Sequence, residues 1–341
     1  MFFKLIIAMF AATSTLAAYN VPSAVALPVK AGNSISNNLV APKSLQEAQQ
    51  LQVLSGHTNS VNSIAIAPDG KTLFSGSTDR TIKLWNLRDG SQLSTMNGLS
   101  GAASSLVVSP DGKFLAAAVG SNIDLWNLES AGQPGTLKGH TGGVRSMAIT
   151  PDGKTLVSAS LDKTIKVWGV QTGELIDTLT GHSDWVTAVA ISPDGRTLVS
   201  GSSGLDRSIK IWDLRTRQLQ QTIPRQDGQI YAIAISPNGQ TLAASIDKSI
   251  RVWDLKSGKM LRTITGHSNA VLAIAISPDG ETIASAGSDQ SIKLWNLGSG
   301  KLLHTLTGHS GWVWSVAISP DRQTLVSASD DKTIRIWSAS R

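Results

Sequence analysis

Seven tryptophans recur at nearly constant intervals: Trp85, Trp126, Trp168, Trp212, Trp253, Trp295 and Trp337 are spaced by 41, 42, 44, 41, 42 and 42 residues. Such a spacing requires one supersecondary unit copied in tandem, each copy burying its apolar face against the next. Within a unit, alternating apolar residues such as Val61, Ile64 and Ile66 give way to a turn at Pro68-Asp69-Gly70. That turn returns at Pro110, Pro151, Pro193 and Pro278, with Pro237-Asn238-Gly239 and Pro320-Asp321-Arg322 as variants. Asp-Gly or Asn-Gly between alternating segments signals a β-hairpin. Each unit therefore reads as three strands, residues 61–67, 71–75 and 81–85 in the first, followed by a fourth at 92–96. A period of about 40–45 residues with four strands is that of a propeller blade and exceeds the periods of helical repeat arrays.

Counting strands shows how the ring must close. After Trp337 only Ser338-Ala339-Ser340-Arg341 remain, too few for a fourth strand. The missing strand is expected from Gln49-Gln50-Leu51-Gln52-Val53-Leu54, which precedes Gly56-His57 as residues 302–306 precede Gly308-His309. Residues 48–341 number 294, seven times 42. The expected fold is all-β, a seven-bladed β-propeller of four-stranded antiparallel blades, in which an N-terminal strand completes the C-terminal blade and removes two unpaired edges.

The segment before the ring is different in kind. Residues 1–4 carry one lysine, residues 5–18 are apolar apart from Thr13, Ser14 and Thr15, and Ala24-Val25-Ala26 offers small residues where a signal peptidase cuts. We expect a signal peptide over 1–26, a flexible linker over 27–47 and the propeller over 48–341, with the mature protein periplasmic or secreted. The run is short for a bilayer span, so a membrane enters only if the leader is retained. The absence of cysteine excludes disulfides, thiol nucleophiles and cysteine zinc sites. The balance of 30 Lys+Arg against 24 Asp+Glu is weakly basic. The basic residues two places before most of the tryptophans (Lys83, Lys166, Lys210, Arg251, Lys293, Arg335) spread charge around the ring, whereas nucleic-acid binding needs it gathered on one face. No phosphate loop, metal-ligand spacing or calcium loop is present, so no cofactor, metal or nucleic acid is expected.

Gly56-His57, Ser75, Asp79 and Leu84-Trp85-Asn86 resemble the Gly-His to Trp-Asp signature of WD40 repeats; with its leader the chain resembles the bacterial exported type. Five units hold His, Ser, Asp and Trp in register: His57, Ser75, Asp79, Trp85; His140, Ser158, Asp162, Trp168; His182, Ser200, Asp206, Trp212; His267, Ser285, Asp289, Trp295; His309, Ser327, Asp331, Trp337. The resemblance implies a hydrogen-bonded relay from indole through Ser and His to an Asp in the turn between the second and third strands. Ser, His and Asp also make hydrolase triads, but a triad occurs once per site, and here the set repeats five times. The two units without the His, at Leu99 and Gln226, also lack the Ser, at Ala117 and Ala244. Joint loss is what a coupled buried network predicts, and no catalytic residue is assigned. Gly120 replaces the second unit's Asp, whereas Asp247 survives in the fifth without its His. By analogy with a broken buried ion pair, losing His140 or His309 is expected to cost about 3–5 kcal/mol.

Function is expected where the units disagree. By resemblance, three places per unit ring the mouth of the central channel where partner peptides dock. There blades three to seven carry Trp185, Tyr231, Trp312 and Trp314, with Arg145, Leu161, Leu205, Ile246 and Leu272. Blades one and two offer Ser60, Asn62, Thr78, Ala102 and Ser104. Trp, Tyr and Arg dominate binding hot spots. The expectation is a non-enzymatic, monomeric ring that holds a protein or peptide on this aromatic mouth. The alternative is an exported enzyme or a receptor for a small molecule such as a saccharide at the same place.

Overall fold

The computed structural model describes residues 45–130 and 132–339. The expected leader and residues 27–44 of the linker lie outside them. The described chain forms seven four-stranded antiparallel sheets. In blade one the strands a to d, from the channel outward, are Val61–Ile66, Thr72–Ser77, Ile82–Asn86 and Gln92–Met96. Neighbouring strands a pack side by side around the channel. Blade seven takes its outermost strand from the N-terminal side: Ala48–Ser55 pairs antiparallel with Thr333–Ala339, with Gln50 opposite Trp337 and Leu54 opposite Ile334. Ring closure is as expected from the missing fourth strand. Just before that strand, Leu45–Glu47 forms a 3-10 turn whose Leu45 is buried against blades six and seven.

Strand b is small and apolar rather than alternating because both of its faces are covered. All six residues of Thr72–Ser77 are buried. The core is accordingly a set of layers between blades. Phe74, Ile82, Leu84 and Met96 of blade one pack on Leu106, Leu115 and Trp126 of blade two. The closing layer unites Val326, Ala328 and Ile334 of blade seven with Val61, Leu73 and Trp85 of blade one. Each repeat tryptophan is thus clamped between its own blade and the preceding one.

Packing between blades is matched residue by residue. A Cβ added to Gly201 on strand b of blade four would lie 2.7 Å from both Ile230 and Ile233 of blade five. At the corresponding place in blade three stands Ala159, facing the smaller Val186 and Val189. Hydroxyls on strand a stitch blades together as well: Ser63 accepts from Leu106 N at 2.9 Å and Ser146 from Val189 N at 3.2 Å.

The connections divide between the two ends of the ring. The Gly-His segments and the b–c loops lie at one end. The Pro-Asp-Gly turns and the c–d turns lie at the other.

Candidate functional site

At the first end, five blades contain the same chain of hydrogen bonds. In blade three, Trp168 Nε1 lies 2.8 Å from Ser158 Oγ, Ser158 Oγ 2.8 Å from His140 Nε2, and His140 Nδ1 2.7 Å from Asp162 Oδ2. The distances in the other four agree to within 0.1 Å. An indole N–H only donates and an ionised carboxylate only accepts, which sets the order of protons: Ser158 donates to Nε2, and Nδ1–H donates to Asp162. Burial pushes the His57, His140 and His267 imidazoles below their usual range, against the pull of Asp79, Asp162 and Asp289. Burial also works to raise the Asp162 carboxyl, but Thr164, His140 and the Thr141 N–H hold it at about 2. Asp206 and Asp331 are lowered further, against burial, by their His and a neighbouring hydroxyl.

The Ser-His-Asp order is that of a hydrolase triad, but the surroundings of the Ser do not suit a nucleophile. Every Ser of the set is fully buried, with 0% exposure, and its oxygen already accepts from an indole. No substrate atom has room beside it. What the relay does is fasten the Gly-His segment, through the His and the carboxylate bond to the next N–H (Thr141 N, 3.0 Å), to the b–c loop and the body of the blade.

Blades two and five are built differently, and two sequence-based assignments change as a result. From the His place to Trp is 28 residues in blades one, three, six and seven and 30 in blade four, but 27 in blades two and five. The shorter span makes the b–c connection a tight hairpin in which Ile246 pairs with Ser249, and Val119 with Asn122. Asp247 is therefore not a surviving relay carboxylate in need of neutralisation. It is an exposed turn residue with φ 46°, and its Oδ1 accepts from Gln229 N at 3.0 Å. Ile246, assigned to the binding face, is 2% exposed and packs with Ile230, Ile233 and Trp253. It belongs to the core because a two-residue turn leaves it as the last inward residue of its strand. Where blade five lacks His, Gln226 and Asp227 instead receive the Arg251 guanidinium, Nη1 bonding Gln226 Oε1 at 2.7 Å.

The backbone also realigns Leu205. The carbonyl three residues after the His place accepts from Thr78, Leu161, Asp247, Ser288 and Asp330 in their blades, and from Ser203 in blade four. Gly204 and Leu205 are thus an insertion that lifts Leu205 out of the loop to 74% exposure.

The remaining face residues do share one end of the ring. Trp185 and Trp312 are half exposed, at 50% and 46%, in contrast to the buried repeat tryptophans. Trp312 packs on Trp314 with ring centroids 5.5 Å apart and planes at 60°, and Trp314 Nε1 donates to Asp330 Oδ1 at 2.6 Å. Ser60 bonds the same carboxylate across the blade seven to blade one seam. Arg145 is exposed; Leu161, Tyr231 and Leu272 are half-buried. The small polar residues at the neighbouring positions are not a neutral filling. Asn62, Ser104 and Thr187 each donate to a strand a carbonyl of the next blade, at 3.1, 2.8 and 2.6 Å. Blades three, five, six and seven give up that stitch and present Arg145, Tyr231, Leu272 and Trp314 instead. Burial and then the nearby Asp247 push the Tyr231 phenol up. Asp184, whose oxygens accept from Trp185 N and Leu205 N, places a third carboxylate next to an aromatic residue, after Asp247 on blade five and Asp330 on blade seven.

Seven four-stranded blades, five of them fastened by a Trp-Ser-His-Asp relay, define a WD40-type propeller. The chain belongs to that family: the WD domain, G-beta repeat model matches residues 48–86, 132–169, 173–213, 217–254, 258–296 and 300–338. The unmatched stretch, residues 87–131, holds the outer strand of blade one and the three inner strands of blade two, which has Leu99 and Ala117 at the relay places. Among similar proteins, the Periodic tryptophan protein 2 homolog of Neurospora crassa is 50% identical over 44 residues, 13% of this chain and 5% of that protein. The Ribosome biogenesis protein BOP1 homolog of Culex quinquefasciatus is 45% identical over 51 residues, 14% of this chain and 6% of that one. The matched length in each case is about one blade, far short of those relatives' full length.

Proposed function

We propose that the ring is a non-enzymatic scaffold that holds a protein or peptide partner on the mouth bearing Trp185, Tyr231, Trp312 and Trp314, and that it does so outside the cytoplasm. The observation that carries the reading is the division among the tryptophans. Seven are buried within blades, while Trp185 and Trp312 spend large apolar surface on solvent at one end of a rigid ring. Exposed aromatics on a preorganised surface lose little conformational entropy on binding, so a few of them can dominate affinity. The carboxylates beside the aromatic rings favour a segment that combines apolar and cationic side chains. Export is supported by the apolar run and Ala24-Val25-Ala26 of the leader.

The test is Trp185→Ala combined with Trp312→Ala. Capture of partners from a cell-envelope extract should be abolished with melting nearly unchanged, since both rings are half exposed already. A large loss of stability instead would make these rings packing residues and defeat the reading. Binding of saccharides in place of polypeptides would move the assignment to a small-molecule receptor. Intact mass of protein exported by its host checks the leader: a chain still beginning at Met1 would remove the proposed cleavage.

A further inference from the structure

At the opposite end, between blades three and four, lies a cavity of about 320 Å³ with an apolar floor and a cationic rim. Val167, Ile176 and Leu214 make the floor; Arg196, Arg215 and Arg217 stand at the edge, all three on the turns of blade four. No other blade carries arginine at all three places. Those matching Arg196 are Lys71, Lys113, Lys154, Gln240, Glu281 and Gln323. The place of Arg217 belongs to Gly90, Gly173, Gly258 and Gly300 in four other blades, all with φ between 67° and 75°. Arg217 holds the same left-handed conformation, φ 61°, and closes the same turn through its N–H to Asp213 O at 2.7 Å. A long side chain occupies a position whose backbone favours glycine.

Of these guanidinium groups only Arg217 forms an ion pair, while Arg196 and Arg215 feel the nearby Asp194 and Asp213 across solvent. Arg217 reaches only Asp177, at 3.8 Å, with both side chains about 40% exposed. Arg196 and Arg215 are exposed and lie within ion-pair distance of no carboxylate among the described residues. Asp152 and Asp194 also line the cavity, held in their turns by Thr150 Oγ1 and Lys154 N and by Ser192 Oγ and Arg196 N, so the lining sets three cations against two carboxylates. Guanidinium forks around an apolar floor match side-chain carboxylates flanking an apolar residue.

We propose that this cavity is a second docking site, for an acidic peptide segment of a partner protein that seats one apolar side chain on the floor and its flanking carboxylates on the arginines. The chain's own residues 1–44 do not supply such a segment, since they contain three lysines and no Asp or Glu. The two ends of the ring would then select partners of opposite charge, which suits a scaffold that brings two chains together.

The experiment uses the full chain and a pool of fluorescein-labelled octapeptides with central Leu, Ile, Val or Phe flanked on both sides by Asp and Glu, read by anisotropy. Binding should weaken at least tenfold in the R196Q/R215Q/R217G variant, in which the third change restores the glycine of the other turns and so protects the fold. It should persist in the Trp185→Ala/Trp312→Ala protein, which separates this site from the mouth. Pools with Lys for the acids, or Ser at the centre, should bind at least tenfold more weakly. The proposal is overturned by no binding, by binding that survives the arginine changes, or by equal affinity for the lysine pool or a single-stranded oligonucleotide. A dimer in sedimentation that dissociates in the arginine variant would give the cavity to a second copy of the chain and likewise overturn it.

Discussion

Replacing His140 by leucine, the residue that blade two uses at this place, tests how the relay stabilises a blade. Asp162 has four donors: His140 Nδ1 at 2.7 Å, Thr141 N at 3.0 Å, Thr164 N at 2.9 Å and Thr164 Oγ1 at 2.7 Å. Together they hold its carboxyl at about 2 against an ordinary 3.8, which at 1.36 kcal/mol per unit amounts to no more than about 2 kcal/mol at neutral pH. Leucine removes one donor of the four, roughly 0.5 kcal/mol, and the Ser158 bond, about 1 kcal/mol. The cavity term is small because the side chains are similar in size. The expected loss is therefore about 1.5–2 kcal/mol, below the roughly 3–5 kcal/mol of a broken buried ion pair. The physical reason is that three donors remain on the carboxylate. Equilibrium urea unfolding at pH 7 followed by tryptophan fluorescence measures it. Asp162→Asn added to His140→Leu should bring no recovery. A loss above about 4 kcal/mol, relieved by Asp162→Asn, would refute the reasoning by showing that the remaining donors do not hold the charge.

The same groups set the pH dependence. His57, His140 and His267 have lowered values in the folded state, so the unfolded chain takes protons first as pH falls below 6.5, and stability should decline from there. Asp162 is likewise lowered, so a second decline should run from about pH 4 toward 2; urea midpoints that stay flat or rise between pH 7.5 and 4 would contradict the first, and a flat profile from pH 4 to 2 the second. Gly201→Ala, which puts a methyl 2.7 Å from Ile230 and Ile233, should cost about 1–3 kcal/mol and be relieved by valine at both isoleucines, as in the Ala159 layer; an unchanged urea midpoint would contradict the close fit. Deleting residues 48–54 removes most of a strand paired over seven residues with Thr333–Ala339, and should cost on the order of 5 kcal/mol in backbone hydrogen bonds; calorimetry showing an unchanged Tm would refute ring closure as a source of stability.

Much of the fold was legible because repetition makes a sequence its own control. Seven tryptophans, seven turns and a missing last strand left one way to count blades and one way to close them. The relay partners were legible as well, since His and Ser vanish together at Leu99/Ala117 and Gln226/Ala244. The misplaced Ile246 and Asp247 and the shifted register of Leu205, which stays exposed, share one cause. Counting back from Trp aligns the b–c loops only if they have equal length, and the intervals of 27, 28 and 30 residues already showed that they do not. A one-residue deletion in a hairpin turns an outward residue inward, because side chains alternate between faces.

Repeat period, strand number, blade count and the choice of buried hydrogen-bonding partners were determined by the sequence, because each is a periodic property that every copy restates. What only the tertiary structure decided is aperiodic. It separated exposed Trp185 and Trp312 from buried Ile246, and gave Asn62, Ser104 and Thr187 their bonds to the next blade. It also brought the arginines of blade four beside Val167 and Ile176 of blade three. Those contacts join residues of different repeats, and their geometry follows from how one sheet packs on the next rather than from the pattern within either.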